Sequence, residues 1–180
     1  PAFLSYRVNA GYFEPDNWYQ DLERGGGRLL GEGCHFTDLL SYLVGAPLKS
    51  VAAANLSDPS GHYLPDDNFM TTLTFADGSV AHLTYLANGP RAIPKERIEV
   101  FAGGTCWILD DFVRLQRIDD KKRTLWKGAQ DKGHETEVKA FVASILSGTP
   151  SPISPEALIA SSRVPFMVRD AFQRGEIIWL

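Results

Sequence analysis

The sequence predicts an α+β fold: an open, predominantly antiparallel β-sheet with helices packed on one face. Three observations carry this. β-prone segments crowd between Val51 and Trp126, joined by hairpin signals at Asp77-Gly78, Gly103-Gly104 and Asp119 to Lys122. Apolar residues at helical spacing crowd instead after Gly133. Strands and helices do not alternate as in βαβ repeats, which argues against a doubly wound nucleotide-binding sheet in this chain.

Phe3 to Asn9 alternates apolar and polar β-prone residues, so it reads as a strand. Gly11 to Gly27 reads as a long loop holding Tyr12, Phe13, Trp18 and Tyr19, and loops of that length in compact domains are often functional. Leu29 to Val44 is a helix stopped at Gly45 with Pro47 just beyond. Val51 to Leu56 is a strand, and Ser57 to Asp67 a polar connection. Asn68 to Phe75 and Ser79 to Leu86 form a hairpin, because Asp-Gly tolerates the positive φ of such turns. Arg97 to Phe101 with Thr105 to Leu109, and Val113 to Ile118 with Arg123 to Trp126, form two more. Glu137 to Leu146 places Val138, Phe141, Val142, Ile145 and Leu146 on one helical face. Pro155 suits the first turn of a helix running to about Arg174, and Glu176 to Leu180 is an apolar tail fit for a closing strand.

With 180 residues, 44% apolar and 22% charged, the composition is that of an ordinary globular chain, and residues 1–180 are expected to form one domain. The net charge of −4, with both signs interspersed, predicts neither a nucleic-acid partner nor a membrane surface. No apolar run approaches the roughly 18 residues of a membrane helix. Cys34 and Cys106 are too few and too far apart for a disulfide framework, so a cytoplasmic location is the simplest expectation. The chain opens on Pro1 without an initiator methionine or signal-peptide pattern, which predicts a segment of a longer polypeptide.

The chemistry concentrates in Gly-Gly-Gly-Arg-Leu-Leu-Gly-Glu-Gly-Cys-His-Phe-Thr-Asp-Leu-Leu, Gly25 to Leu40. An interior helical glycine costs about 0.8–1 kcal/mol relative to alanine. Gly31 and Gly33 therefore mark places where another backbone or a ligand comes close. Glu32, His35 and Asp38 are spaced three apart and project from neighbouring parts of one helical side. Histidine is the side chain that exchanges protons near neutral pH, so His35 beside an acid is a candidate acid/base. The bland alternative is a surface helix whose histidine pairs with a carboxylate, the commoner case for an isolated H-x-x-D. A metal site ranks below acid/base: Glu32-x-x-His35 is half of a di-iron pattern with no second copy, and His62, His82 and His134 lie in unrelated elements. No G-x-S-x-G elbow supports a serine hydrolase. Gly25 to Gly27 before a helix is weak evidence for an anion site. Trp18 and Tyr19 either stack on a ligand ring or anchor their own loop. Lys95, after Pro94 and before a strand, could reach into a cleft, although an exposed lysine is the commoner case, and His62 and His82 receive no role.

Gly25 to Leu40 resembles the signature of the Gfo/Idh/MocA oxidoreductase family, which includes inositol dehydrogenases and glucose–fructose oxidoreductase. Tyr6-Arg-Val-Asn-Ala-Gly-Tyr, Asp16-Asn-Trp, the Asp77-Gly78 hairpin and Arg97-Ile-Glu-Val-Phe-Ala-Gly-Gly fall in family order. The wording Gly-Glu-Gly-Cys-His-Phe looks most like the branch joined to a zinc-dependent alcohol-dehydrogenase-like portion. The resemblance implies a two-domain enzyme. An N-terminal Rossmann domain binds NAD or NADP. A C-terminal, dihydrodipicolinate-reductase-like domain supplies the substrate pocket and the sheet face used for homo-oligomerisation. This chain resembles the second domain, so no cofactor is expected on it alone. The family's catalytic lysine, in a Glu-Lys-Pro-like motif, would lie in the other domain.

Residue by residue, His35 matches the family's catalytic histidine and Asp38 the signature's last aspartate, read as orienting or structural. The family's first aspartate falls on Gly31. Glu32 is adjacent but rotated by about 100°, so it is a second catalytic candidate without being a replacement. Arg28, Asn9, Trp18 and Asp38 are the expected substrate contacts. The implied function is the substrate-binding and oligomerisation domain of an NAD(P)-dependent oxidoreductase acting on a small sugar, cyclitol or related hydroxy/keto substrate, inactive alone. The alternative is a non-catalytic scaffold with the same fold, which the loss at Gly31 favours and the retention of His35 disfavours.

Overall fold

A computed structural model describes residues 1–180. In chain order the elements are β1 (Phe3–Asn9), α1 (Gly27–Val44), β2 (Leu48–Asn55), β3 (Phe69–Phe75), β4 (Val80–Leu86) and β5 (Glu96–Ala102). There follow β6 (Thr105–Asp110), β7 (Arg114–Ile118), β8 (Lys122–Lys127), α2 (His134–Ser147), α3 (Pro155–Arg174) and β9 (Ile178–Trp179). Every expected element is present, with ends shifted by a few residues. The strands form one nine-stranded sheet in the order β8-β7-β6-β5-β1-β4-β3-β2-β9.

The sheet is mixed, though mostly antiparallel. β1 runs parallel to β4, from Phe3 opposite Val80 to Asn9 opposite Leu86, and antiparallel to β5 on its other side. Parallel neighbours need a long crossover, and here α1, β2 and β3 all lie between the two strands in sequence. β1 thus becomes the central strand, and its C-terminal end points toward the loop that follows it.

Alternation along β1 sends Leu4, Tyr6 and Val8 to the core face, where Leu73, Ala81, Leu83 and Tyr85 join them. α1 closes this face with Leu29, Phe36 and Leu40, and Phe36 meets the Tyr6 ring edge-on at 5.6 Å. α3 packs beside α1 and over β2 through Val164, Val168 and Ala171. Within α1, Leu29 and Leu40 are core, whereas Leu43 is exposed.

α2 departs from expectation. Its apolar side, including Val138, Phe141 and Ile145, faces outward, and only Ser144 of the helix is buried. The loop before it is tied to the sheet by the Lys132 ammonium, 2.5 Å from Glu96 Oε1. Glu96 is almost fully buried and also accepts a hydrogen bond from the Tyr6 hydroxyl. No helix is long and apolar enough to cross a membrane.

Candidate functional site

The long loop between β1 and α1 folds over the first turns of the helix. Gln20 Nε2 anchors it by donating to the buried Asp67 Oδ1 at 2.8 Å, and the Tyr12 ring stacks on His62 at 4.3 Å. His62, given no role from sequence, therefore holds the loop. Trp18, Tyr19 and Phe13 form an aromatic rim, with ring contacts of 5.4 Å and 5.9 Å to Tyr19.

Beneath that rim lies Arg28, 1% exposed. Its guanidinium sits 4.6 Å over the Phe13 ring and 5.2 Å from the Tyr85 ring. Nε donates to the Tyr85 hydroxyl and Nη1 to the Gly11 carbonyl, each at 2.7 Å. Tyr85 in turn donates to Glu32 Oε1, one helical turn beyond Arg28. Glu32 Oε1 lies 3.8 Å from Arg28 Nη2, and Oε2 lies 3.6 Å from Lys95 Nζ. Burial, followed by the charge of Glu32, pushes the Tyr85 phenol well above its ordinary value while Arg28 opposes the shift, so Tyr85 keeps its proton. A buried arginine thereby fixes a tyrosine, and the tyrosine fixes a carboxylate whose second oxygen faces Lys95.

Lys95 is exposed, as the sequence reading has it, yet its ammonium is brought to within 3.6 Å of Glu32 Oε2. Asn9 makes the difference. Its Nδ2 donates to the Pro90 and Ile93 carbonyls at 2.9 and 3.1 Å, and its backbone amide donates to the Lys95 carbonyl at 2.7 Å. Arg7 adds a bond to the Pro94 carbonyl at 3.0 Å. A Cβ on Gly89 would fall 2.0 Å from Asn9 Oδ1, so only glycine lets this loop fold down onto Asn9. Asn9, expected as a substrate contact, holds the loop that carries Lys95.

Phe13, Trp18, Tyr19, Arg28, Glu32 and Lys95 enclose most of a cavity of about 360 Å³. Two expected contacts, Arg28 and Trp18, and one expected catalytic candidate, Glu32, are brought together there. His35 and Asp38 are not. His35 stands seven residues beyond Arg28, on nearly the same helical side, but it is exposed and lies outside the cavity. Asp38 lines a different groove of about 790 Å³ between α1 and α3, near Arg163 and Tyr42. Each three-residue step turns the side chain by a net angle of about 60°, so Asp38 points about 120° round the helix from Glu32.

The glycines also meet close neighbours within the chain. At Gly31 a Cβ would meet the Gly25 carbonyl at 3.1 Å and the Tyr19 ring and hydroxyl at 3.2 Å. At Gly33 it would meet Leu29 at 3.1 Å and Pro165 of α3 at 3.9 Å. The N-terminus of α1 is not an open anion site either. Asp66 Oδ2 lies 3.1 Å from the Cβ position of Gly27 and is paired with Arg169 at 2.6 Å. Burial raises the Asp66 carboxyl above its ordinary value, against the lowering effect of Arg169.

Comparison with known proteins follows this architecture. Residues 2–103 match the GFO/IDH/MocA C-terminal domain. No match is found among curated proteins. Among solved structures, the chain is similar to aldose-aldose oxidoreductase from Caulobacter crescentus complexed with glycerol, at TM-score 0.84 and 16% identity, covering 99% of this chain and 55% of that one. It is also similar to UDP-N-acetylglucosamine 3-dehydrogenase from Acidithiobacillus ferrooxidans, at TM-score 0.75 and 19% identity, covering 96% and 53%. An NAD binding oxidoreductase from Klebsiella pneumoniae matches at TM-score 0.78 and 18% identity, covering 98% and 58%. The chain thus spans little more than half the length of each. With its family segment running from β1 through the aromatic loop, α1 and the central strands, the chain belongs to the GFO/IDH/MocA C-terminal domain family.

Proposed function

We propose that this chain is the substrate-binding domain of an NAD(P)-dependent oxidoreductase acting on a sugar, cyclitol or related hydroxy/keto compound. The observation that carries this is the cradle: a carboxylate, Glu32, held by Tyr85 and Arg28 and facing Lys95 under an aromatic rim. A hydroxyl both donates and accepts. It can give its proton to Glu32 and take one from Lys95, while an aromatic rim suits the apolar faces of a ring. The names of the similar structures point the same way.

NAD or NADP belongs, in this reading, to an N-terminal Rossmann domain joined to this one. The fit within this chain is poor: its glycine-preceded helix already faces the Asp66 carboxylate, which would repel a pyrophosphate. The uncovered apolar side of α2 supports a further domain in the working protein. His35, exposed beside the cradle, would then face that domain and take or return the proton of the reacting hydroxyl, and the nicotinamide would exchange hydride with the substrate carbon. Alone the chain would turn nothing over. The open sheet face would pair it with a second copy.

The test is the longer polypeptide. His35→Ala should lower kcat by about 10²–10⁴-fold, the usual share of a positioned acid/base. Unchanged turnover would remove His35 from the chemistry. Absence of nicotinamide-linked turnover with any polyhydroxylated substrate would favour the second reading, a non-catalytic binding scaffold; Gly31, at the position of the family's aspartate, is what favours it.

A further inference from the structure

Gly31 lacks a side chain, and a residue from elsewhere in the chain occupies the space. The Tyr19 ring carbon bearing the hydroxyl and the hydroxyl oxygen both stand 3.2 Å from where a Cβ of residue 31 would be. The phenol thus occupies the volume into which a side chain at 31 would begin to extend. Tyr19 shares the cavity with Arg28, Glu32 and Lys95. Its backbone amide is tied to Asn17 Oδ1 at 3.0 Å, and its ring is braced by Phe13 and Trp18. The hydroxyl has no hydrogen-bond partner in the chain, unlike those of Tyr6, Tyr12 and Tyr85.

We propose that Tyr19 is a specificity-determining residue of the cradle, donating its hydroxyl proton to a ligand oxygen that also lies within reach of Glu32 and Lys95. This rests on the substrate-binding reading above and assigns a contact that the glycine-rich motif does not contain. Burial, and then the charge of Glu32, hold the phenol above its ordinary value despite Arg28, so it enters binding as a donor. Glu32 Oε2 supplies the acceptor and Lys95 the second donor. That mixture favours vicinal hydroxyls over a carboxylate, which can only accept and would meet the charge of Glu32. Gly31 is the condition of the arrangement. A methyl group there must displace either the Tyr19 phenol or the Gly25 carbonyl.

The experiment titrates the full 180-residue chain with myo-inositol, D-glucose, D-galactose, N-acetyl-D-glucosamine and their monodeoxy derivatives, read by amide and side-chain NMR shifts. Shifts should centre on Trp18, Tyr19, Glu32 and Lys95. Tyr19→Phe, which keeps the ring, should weaken the best ligand about fivefold, the usual worth of one neutral hydrogen bond. One deoxy derivative should bind wild type and Tyr19→Phe alike, since its missing hydroxyl is the one Tyr19 holds. Gly31→Ala should reproduce the weakening while Tyr19→Phe leaves the thermal midpoint in place. The proposal is overturned if no probe binds, if shifts centre elsewhere, or if Tyr19→Phe and wild type lose affinity equally on every deoxy derivative. The oxidoreductase reading fails separately: a probe that binds here but is not turned over by the longer polypeptide leaves Tyr19 a ligand contact of a non-catalytic domain.

Discussion

Arg28 illustrates how a single side chain organises the site. A guanidinium taken out of water is costly unless its donors are met. Here Tyr85, Gly11 and two aromatic faces meet them, and the resulting geometry fixes Glu32. From sequence, Arg28 was a candidate substrate contact just ahead of the expected helix. Its burial was not legible, because Tyr85 and Phe13 come from distant segments. Lys95 could be named from sequence as able to reach a cleft, but nothing in the spacing of Glu32 and Lys95 shows that they meet. A second residue shows its environment through its titration. Asp58 is held down at about 2, first by the Ser60 hydroxyl and then by the backbone amides of Tyr63 and Ser60. A carboxylate depressed on folding contributes stability above its ordinary value near 3.8, and that contribution is lost as pH falls toward 2. A carboxyl-carbon NMR titration should place the Asp58 midpoint near 2, with Tyr63 amide exchange accelerating through the same window. A midpoint at 3.8 would mean that the turn does not hold it.

Elements differ in how firmly they are bound to the rest. The β1–β5 pair and the segment leading to α2 are joined at Glu96, buried between the Tyr6 hydroxyl and the Lys132 ammonium. Burial, and then Glu96 itself, push the Tyr6 phenol far above its ordinary value. Glu96→Ala strands that hydroxyl without a partner and should destabilise the chain by about 2–4 kcal/mol in urea denaturation. α2 makes the contrasting case. Phe141 is 51% exposed, so Phe141→Ser should cost this chain less than about 0.5 kcal/mol. In a longer polypeptide whose further domain covers α2, the same substitution should cost about 2 kcal/mol or more. Equal small effects in both would leave that face uncovered. The helical period of α2 was plain from Val138 to Leu146, but periodicity marks an apolar side without naming what lies against it.

At the scale of the whole molecule, α1 and α3 cover one face of the sheet around β1, β4 and β2 and leave the other face open. Phe3 on β1 stands opposite Phe101 on β5, 50% and 46% exposed, an apolar pair on the open side. If this face pairs two copies, sedimentation should give a concentration-dependent dimer, and Phe101→Arg should return it to monomer without lowering the thermal midpoint of the monomer. A wild-type chain that sediments as a monomer at all concentrations would set the pairing aside.

The sequence by itself determined the elements, because their signals are local. Alternation marks the strands, Asp77-Gly78 and Gly103-Gly104 turn two hairpins, and Gly45 and Gly175 end helices. It also determined the family, since the glycine-rich motif and the segments around it stand in one order. Only the tertiary structure decided that β1 inserts between β4 and β5, that His35 and Asp38 lie outside the cavity holding Glu32, and that Tyr19 fills the space at Gly31. The physical reason is shared. Pairing Phe3 with Val80, or bringing Lys95 to Glu32, is settled by which arrangement buries the apolar face and satisfies the buried polar groups together. No local pattern encodes that joint condition.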